Sequence, residues 1–405
     1  MLKTNTNGDR MKKWNEKYHA KFKKYSLGNQ VWDKRNLEDA WKQVRANRGS
    51  AGVDGVTIEE FEQNLQQNLA EIERQLKENS YVPQPVKRVL IPKDNGKMRP
   101  LGVPAIKDRV VQQALKNVLE PIFENIFLPQ SHGYRPDTDA HAAVRKAEAF
   151  IKSGYHWLVD ADIEGFFDHV DHKILMDLIC EQVSDGRVLS WIESILKSGI
   201  MNEGVFEESM EGTPQGGNLS PLLANIYLNH FDRRMGDYGY LLLRYADDII
   251  IFCKYEWEAE DALKRAREIL ERELKLKLSP EKTKIVHGNE TGVEFLGFHF
   301  NGRWKKPRDK AIKKFKSEIK NRTKRQQPIS FGTLIKLLNP NIRGWRNYFE
   351  GCTVNKIFIE LDEYIADRLR CFKAKNRSNK VLWYSLTKSE LAQMGLISLY
   401  RGISG

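Results

Sequence analysis

The stretch LLLRYADDIIIFC, residues 241–253, places two adjacent aspartates, Asp247 and Asp248, between two apolar runs. Each run is short and rich in branched and aromatic residues, which predicts a hairpin of buried strands with the aspartates at its tip. Two unit charges about 4 Å apart repel by roughly 4 kcal/mol at an effective dielectric near 20. The pair is therefore either an ordinary polar turn or part of a divalent-metal site, where a hard cation compensates the repulsion.

A third carboxylate lies at the end of another predicted strand, residues 156–163, where Asp162 stands in HWLVDADIEGFFDHV. A sheet that pairs this strand with the hairpin would bring Asp162 to Asp247 and Asp248. Carboxylates in that arrangement can hold two Mg²⁺ ions about 3.5 to 4 Å apart for phosphoryl transfer, and Mn²⁺ could replace them. Asp247 is the stronger candidate of the adjacent pair, because neighbouring strand residues point to opposite faces.

Composition limits the class of protein. The 405 residues are 40% hydrophobic and 30% charged, with a formal net charge of +12. No apolar run approaches the roughly 20 residues that span a bilayer, and the N-terminus lacks the apolar core of a signal peptide. The four cysteines are far apart and form no C-x-x-C pair, which argues against a disulfide framework and a zinc ribbon. We therefore expect a cytoplasmic protein with free thiols and no membrane partner.

Positive charge is concentrated in RWKKPRDKAIKKFKSEIKNRTKR, residues 303–325, which contains twelve Lys or Arg and two acids. Solvated helix faces usually mix both signs, so this run favours binding to a polyanion. Aromatic residues in or near it could stack on bases or pack in a core; they are Trp304, Phe315, Trp345 and Tyr348.

The remaining pattern predicts an α+β fold in which helices cover one face of an antiparallel sheet. Thr57 and Glu60 form a capping box before a helix that runs toward Lys77. Residues 86–105 predict a basic hairpin, in which Lys93 and Arg99 are the preferred ligands of a triphosphate. Further helices are predicted at residues 107–120, from residue 221 onward and at 257–278, with a strand pair at 292–300 and mainly helix beyond it.

The ordered blocks closely resemble reverse transcriptases, specifically those encoded by bacterial group II introns. The blocks are the basic hairpin, DIEGFFD, a PQGG loop followed by SPLLAN, YADD, LSPEKTK and FLGF. Three further segments narrow the group: GSAGVDGVTIEEF resembles the N-terminal extension block, SHGYRPDTDAHAAV the second block, and NPNIRGWRNYF the thumb or maturase region. About 30 residues follow the thumb without a C-x-x-C pair, so we expect the compact class that lacks an H-N-H endonuclease.

The resemblance implies a right-hand polymerase, with fingers, a palm built of an antiparallel sheet plus helices, and an all-helical basic thumb. Its expected divisions are 1–105 for the N-terminal extension and fingers, 106–300 for the palm with the remainder of the fingers, 301–375 for the thumb or maturase region, and 376–405 for a DNA-binding-like tail. It implies extension of a DNA primer with deoxynucleoside triphosphates on an RNA template, using Mg²⁺. It also implies binding of the intron RNA, in splicing and in retrohoming into a DNA target.

The resemblance also assigns residues. Asp162, Asp247 and Asp248 would be the catalytic metal ligands, and Lys282 would protonate the leaving pyrophosphate unless it is an ordinary exposed lysine. The residues implied around the nucleotide are Lys93, Arg99, Ile163, Gly165, Phe166, Phe167, Gln215 and Ala246. Those implied along template and primer are Gly216, Gly217, Leu296, Gly297, Arg303, Lys305, Lys306 and Lys313.

Two of these assignments have alternatives. Phe167 would either lie under the deoxyribose, where its bulk collides with a 2′-hydroxyl, or pack in the core. Asp160 and Asp168 flank the predicted site, and Asp160 is expected to have a structural or solvated role.

Two other functions stay open at this point. One is a retron or phage-defence reverse transcriptase with its own noncoding RNA, which the DNA flanking the coding region would reveal. The other is an RNA-binding splicing factor with a vestigial polymerase site. Intact carboxylates at all three positions argue against the second, because without a metal their mutual repulsion is uncompensated.

Overall fold

The computed structural model describes residues 27–92, 96, 98–202, 204–208, 211–213, 216–302, 304–375 and 386–400. The chain forms two compact units. The first comprises Met1–Asp139, Ala161–Ile251 and Glu260–Lys284, and the second comprises Ala140–Asp160, Phe252–Ala259 and Ile285–Gly405.

Helices and strands alternate irregularly along the chain, which fits the predicted α+β class. In chain order the helices are α1 (Leu27–Val31), α2 (Lys34–Asn47), α3 (Ile58–Gln63), α4 (Leu65–Lys77), α5 (Ile106–Glu124), α6 (Ala140–Lys152), α7 (His172–Cys180), α8 (Gly186–Leu196), α9 (Ser220–Asp237), α10 (Glu256–Glu268), α11 (Asp309–Arg322), α12 (Phe331–Tyr348), α13 (Lys356–Ala374) and α14 (Lys388–Gln393). The strands are β1 (Val86–Pro92), β2 (Met98–Val103), β3 (Trp157–Asp162), β4 (Ile200–Asn202), β5 (Val205–Glu207), β6 (Leu241–Tyr245), β7 (Asp248–Cys253), β8 (Lys284–His287), β9 (Val293–Phe295), β10 (Phe298–Asn301) and β11 (Trp304–Pro307).

The predicted basic hairpin is confirmed. Strands β1 and β2 pair antiparallel, from Lys87 opposite Val103 to Pro92 opposite Met98. Strand β1 also pairs in parallel with β4, which gives a sheet of order β2-β1-β4-β5 in the first unit. The tip of the hairpin, which includes Lys93, lies outside the described residues.

The helices of the N-terminal region follow their local signals. The capping box is confirmed, because the Glu60 amide donates to Thr57 Oγ1 at 3.2 Å and the Thr57 amide donates to Glu60 Oε2 at 2.8 Å. The single helix predicted to run toward Lys77 is instead divided into α3 and α4, since Asn64 between them has φ −115° and ψ 30°, outside the helical range. The predicted helix at 107–120 is confirmed and extends over Ile106–Glu124.

The predicted hairpin of aspartates is also confirmed. Strands β6 and β7 are neighbours in a sheet of order β6-β7-β3-β8, and Ala246 and Asp247 form the turn between them. The apolar residues on both sides, from Leu242 and Leu243 to Ile249 and Ile250, are almost fully buried. Their burial fixes the turn at the end of two core strands.

The predicted helix at 257–278 ends earlier than its apolar spacing suggests. After α10 the residues Ile269–Glu273 form a wider helical turn, and Lys275 adopts a left-handed conformation with φ +54°. Leu276 and Leu278 are buried beyond the end of the helix, so the apolar spacing continues past it.

The second unit contains an antiparallel sheet of order β11-β10-β9 and helices α11 to α14. Strand β11 lies inside the basic stretch, where helix was predicted, because residues 304–307 alternate in burial and pair with β10. Phe315 and Trp345 stack on each other with ring centroids 4.8 Å apart, and Phe315 is buried. Phe315 is therefore a core residue, whereas Trp304 is 38% exposed.

None of the helices in the described ranges is long and apolar enough to cross a membrane.

Candidate active site

Asp162 and Asp247 meet at the ends of their strands, within the first unit. Asp162 is the last residue of β3, and Asp247 lies in the β6–β7 turn. Burial raises the pKa of Asp247 above its ordinary value, and the charge of Asp162 raises it further, while the cations of Arg99 and Lys282 act in the opposite direction. These four side chains therefore share one electrostatic environment.

The LSPEKTK segment brings Lys282 to this position. The Ser279 amide donates to the Asp162 carbonyl at 2.8 Å, and Ile163 forms a β-bridge with Leu278. These backbone contacts hold the segment against the end of β3. Lys282 Nζ then donates to Asp162 Oδ1 at 2.8 Å, so the ammonium neutralises one of the two carboxylates.

The donor chemistry fits a hard divalent cation, because Asp162 and Asp247 are carboxylates whose repulsion a cation would compensate. Among the described residues no group of three or more His, Cys, Asp or Glu side chains is arranged to hold a metal ion. Asp248 begins β7, one residue beyond the turn that carries Asp247. The three-carboxylate site thus stays a prediction; the charges of two of its members, Asp162 and Asp247, act on each other.

The two phenylalanines after Asp162 have different surroundings. Phe166 is 2% exposed and belongs to the core, whereas Phe167 is half-buried and lines a cavity of about 290 Å³. Leu101 and Thr213 line the same cavity, and the Thr213 amide donates to the Phe167 carbonyl at 2.7 Å. The residues that line this cavity include neither Asp162 nor Asp247, so both alternatives for Phe167 stay predictions.

The other residues implied around the nucleotide are placed as follows. Ile163 is buried, Gly165 has φ +54°, and Ala246 has φ +59°. Arg99 lies opposite Ile91 in the β1–β2 hairpin, with an exposed side chain. Lys93 and Gln215 lie outside the described residues.

Gly216 is a glycine for a reason that lies within the protein. A β-carbon there would lie 2.5 Å from the Gly102 carbonyl oxygen, and its φ is +119°. The close approach that excludes a side chain is therefore to strand β2, within the protein itself. Gly216 and Gly217 also line a cavity of about 400 Å³ beside Arg109 and Gln113, so contact with a template there stays a prediction.

Two of the residues implied along template and primer form a tight turn in the second unit. Leu296 and Gly297 join β9 to β10 with φ +48° and +83°. The Tyr348 hydroxyl donates to the Leu296 carbonyl at 2.8 Å, and the Arg308 amide donates to the Gly297 carbonyl at 2.8 Å. Both carbonyls therefore already have protein partners.

The basic residues that were expected to contact nucleic acid differ in exposure. Lys305 is buried, and its ammonium pairs with Glu148, so it does not present a free charge to a ligand; pairing in β11 turns it inward. Lys306 Nζ bonds Asp309 Oδ1 at 2.9 Å. Lys313 is exposed on α11, and Arg303 lies outside the described residues.

Sequence reasoning missed two residues beside the Asp247 turn. Burial and the charge of Asp247 raise the pKa of Tyr134, which lies in the SHGYRP segment. Arg244 is fully buried directly beneath the turn and pairs with Asp232. The sequence signal that could have identified Arg244 is a lone arginine inside the apolar run LLLRY.

A family model described as reverse transcriptase (RNA-dependent DNA polymerase) matches residues 91–300, and one described as group II intron, maturase-specific domain matches residues 312–389. Protein YkfC of Escherichia coli (strain K12) is 35% identical over 302 residues, which cover 64% of this chain and 79% of YkfC.

Two further matches are to an intron-encoded protein and to a solved structure. The group II intron-encoded protein LtrA of Lactococcus lactis subsp. cremoris is 38% identical over 195 residues, which cover 48% of this chain and 32% of LtrA. The match therefore spans about a third of the length of LtrA. A telomerase structure from Candida albicans aligns with a TM-score of 0.47 and 12% identity, covering 77% of this chain and 63% of that one.

Proposed function

The chain belongs to the reverse transcriptase family and carries a group II intron maturase-specific domain, and from this we propose that it extends a DNA primer on an RNA template by two-metal phosphoryl transfer. The observation that carries the proposal is that the Asp162 and Asp247 carboxylates lie close to each other and to two cations, Lys282 and Arg99. The maturase-specific match favours an intron-encoded enzyme over a retron or phage-defence enzyme.

Each side chain has a proposed part in the reaction. Two Mg²⁺ ions on Asp162, Asp247 and Asp248 would activate the primer hydroxyl and stabilise the leaving oxygen when bound. Arg99 binds the triphosphate, because a guanidinium matches phosphate oxygens in a bidentate manner. Lys282, whose side chain is 66% exposed, releases Asp162 and donates a proton to the departing pyrophosphate.

The maturase part of the proposal concerns the second unit and its partners. The basic residues 303–325 bind intron RNA, so affinity falls steeply with salt, by about 0.7 to 0.9 in log K per log salt for each phosphate contacted. The divisions proposed are fingers at 1–105, palm at 106–300, thumb at 301–375 and a DNA-contacting tail at 376–405. Splicing and retrohoming of the intron in a bacterial cytoplasm complete the proposal, since YkfC and LtrA are bacterial.

Metal removal provides the test of the polymerase proposal. Full-length protein is expected to extend oligo(dT) on poly(rA) with dTTP and Mg²⁺, to lose all extension in excess EDTA, and to regain it when Mg²⁺ is restored. Extension should be faster on poly(rA) than on poly(dA). Protein that binds intron RNA but never extends the primer, with either Mg²⁺ or Mn²⁺, would contradict the proposal and support a splicing factor with a vestigial site.

Phe167→Ala is expected to increase incorporation of ribonucleotides relative to deoxynucleotides by roughly tenfold or more, because in the proposed site the bulk of the Phe167 ring excludes a 2′-hydroxyl. The measurement compares kcat/KM for UTP and dTTP on the same template. Phe166→Leu is the matched control, since Phe166 belongs to the core, and it should lower stability without changing this ratio. An unchanged ratio in Phe167→Ala would assign Phe167 to packing alone.

A further inference from the structure

A buried ion pair lies beneath the turn that carries Asp247. The side chains of Arg244 on β6 and Asp232 on α9 are both 0% exposed. Arg244 Nε donates to the two Asp232 carboxylate oxygens at 2.9 and 3.0 Å, and Nη2 donates to Oδ2 at 2.6 Å. A buried ion pair is weak evidence for stability, because desolvation of both charges offsets their attraction. Stability alone therefore does not account for this pair.

The remaining guanidinium nitrogen, Nη1, is hydrogen-bonded to the turn itself. Arg244 Nη1 donates to the Ala246 carbonyl at 3.0 Å and to Asn225 Oδ1 at 2.9 Å. Ala246 is left-handed, with φ +59°, a conformation that a residue with a β-carbon keeps only where its surroundings impose it. The bonded carbonyl belongs to the peptide group that joins Ala246 to Asp247, so the guanidinium directly fixes the backbone of a catalytic residue.

A second segment, residues 130–133, is hydrogen-bonded to residues of the same network. The Arg244 amide donates to the Gln130 carbonyl at 3.0 Å, and the His132 amide donates to the Arg244 carbonyl at 2.8 Å. Asn225 Nδ2 donates to the Gly133 carbonyl at 2.8 Å, which ties this segment to the partner of the guanidinium. The residues around the turn thus form one connected network with Arg244 at its centre.

We propose that Arg244 is a positioning residue for catalysis, which sets the direction of the Asp247 carboxylate toward Asp162 by holding the Ala246 carbonyl. Asp232 and Asn225 orient the guanidinium for this task. The inference rests on the proposed function, because it takes Asp247 as a metal ligand. Mg²⁺ demands near-ideal octahedral geometry, and small misplacements of catalytic groups are costly, so orientation of this carboxylate should affect metal use more than nucleotide binding.

Arg244→Lys is the test variant, because it keeps the charge near Asp232 while losing the fork that reaches Ala246 and Asn225. We expect kcat for dTTP to fall by roughly ten- to a hundredfold with little change in KM, and the half-activating Mg²⁺ concentration to rise several-fold. In the metal-free protein, amide hydrogen exchange at residues 245–249 should become faster.

Arg370→Lys is the matched control. Arg370 is also buried, donates to Glu363 and Asp367 at 2.9 Å each, and lies in the second unit. A comparable loss of thermal stability is expected there, with no change in the Mg²⁺ requirement or in exchange at residues 245–249. The comparison separates positioning of the turn from general loss of a buried ion pair.

If folded Arg244→Lys changes the Mg²⁺ requirement and the exchange at residues 245–249 no more than Arg370→Lys does, the inference is wrong. If Arg244→Lys does not fold, Asp232→Asn replaces it under the same two readouts. An inactive wild type would contradict the proposed function, whereas the exchange measurement on metal-free protein would still test whether Arg244 holds the turn.

Discussion

Replacing Asp247 with asparagine is expected to abolish dTTP incorporation on poly(rA)/oligo(dT), by roughly three orders of magnitude or more, because a metal ligand is worth several kcal/mol in the transition state. The same change should stabilise the metal-free protein at neutral pH. Burial and the charge of Asp162 raise the pKa of Asp247, so the fold disfavours its ionised form, and a neutral amide removes that cost.

Opposite signs for activity and stability make this prediction specific. Primer extension and thermal unfolding in Mg²⁺-free buffer are the two measurements. Asp237→Asn, which alters an exposed aspartate at the end of α9, serves as control and should change neither quantity. Equal incorporation by wild type and Asp247→Asn would refute the assignment of Asp247, and a fall in stability would show that the carboxylate is compensated without metal.

Gly133→Ala should reduce both stability and activity. A β-carbon at residue 133 would lie 2.3 Å from the Ala246 nitrogen and 2.9 Å from the Tyr245 carbonyl carbon. These are backbone atoms of the turn that carries Asp247, so they cannot move aside as a flexible side chain could. We expect the free energy of unfolding to fall by about 1 to 3 kcal/mol and kcat to fall by roughly a hundredfold.

Gly186→Ala is the control for this substitution. Gly186 begins α8, and a β-carbon there would meet no atom within 4 Å. The change should leave activity intact and stabilise the protein by up to about 1 kcal/mol, since alanine restricts the unfolded chain. Urea unfolding and primer extension of both variants test the pair. Wild-type activity in Gly133→Ala would mean that the turn tolerates displacement.

Much of the fold is predictable because its signals are local. The β6–β7 hairpin follows from two apolar runs around Asp247 and Asp248, and the capping box from Thr57 and Glu60 three residues apart. The end of α10 is not predictable in this way. The apolar spacing continues to Leu278. The left-handed residue after the helix is Lys275, and a lysine does not mark such a position in the sequence as a glycine would.

The same distinction, between residues with a local sequence signal and residues without one, applies to the candidate site. Asp162 and Asp247 are predictable, because charged residues at the ends of apolar strands are conspicuous in the sequence. The role of Arg244 is not, since its partner Asp232 lies on α9 and only tertiary packing brings the two together. Lys305 is the converse case: it reads as part of a basic surface, but pairing in β11 turns it toward Glu148.

The contact between Lys282 and Asp162 has a consequence for how the site is loaded. In the structure the ammonium already acts as a counter-ion to the Asp162 carboxylate, so a metal ion held by Asp162 would have to displace it. On the proposed function, an incoming triphosphate would offer Lys282 an alternative anion and thereby free Asp162. Metal binding would then depend on the presence of substrate.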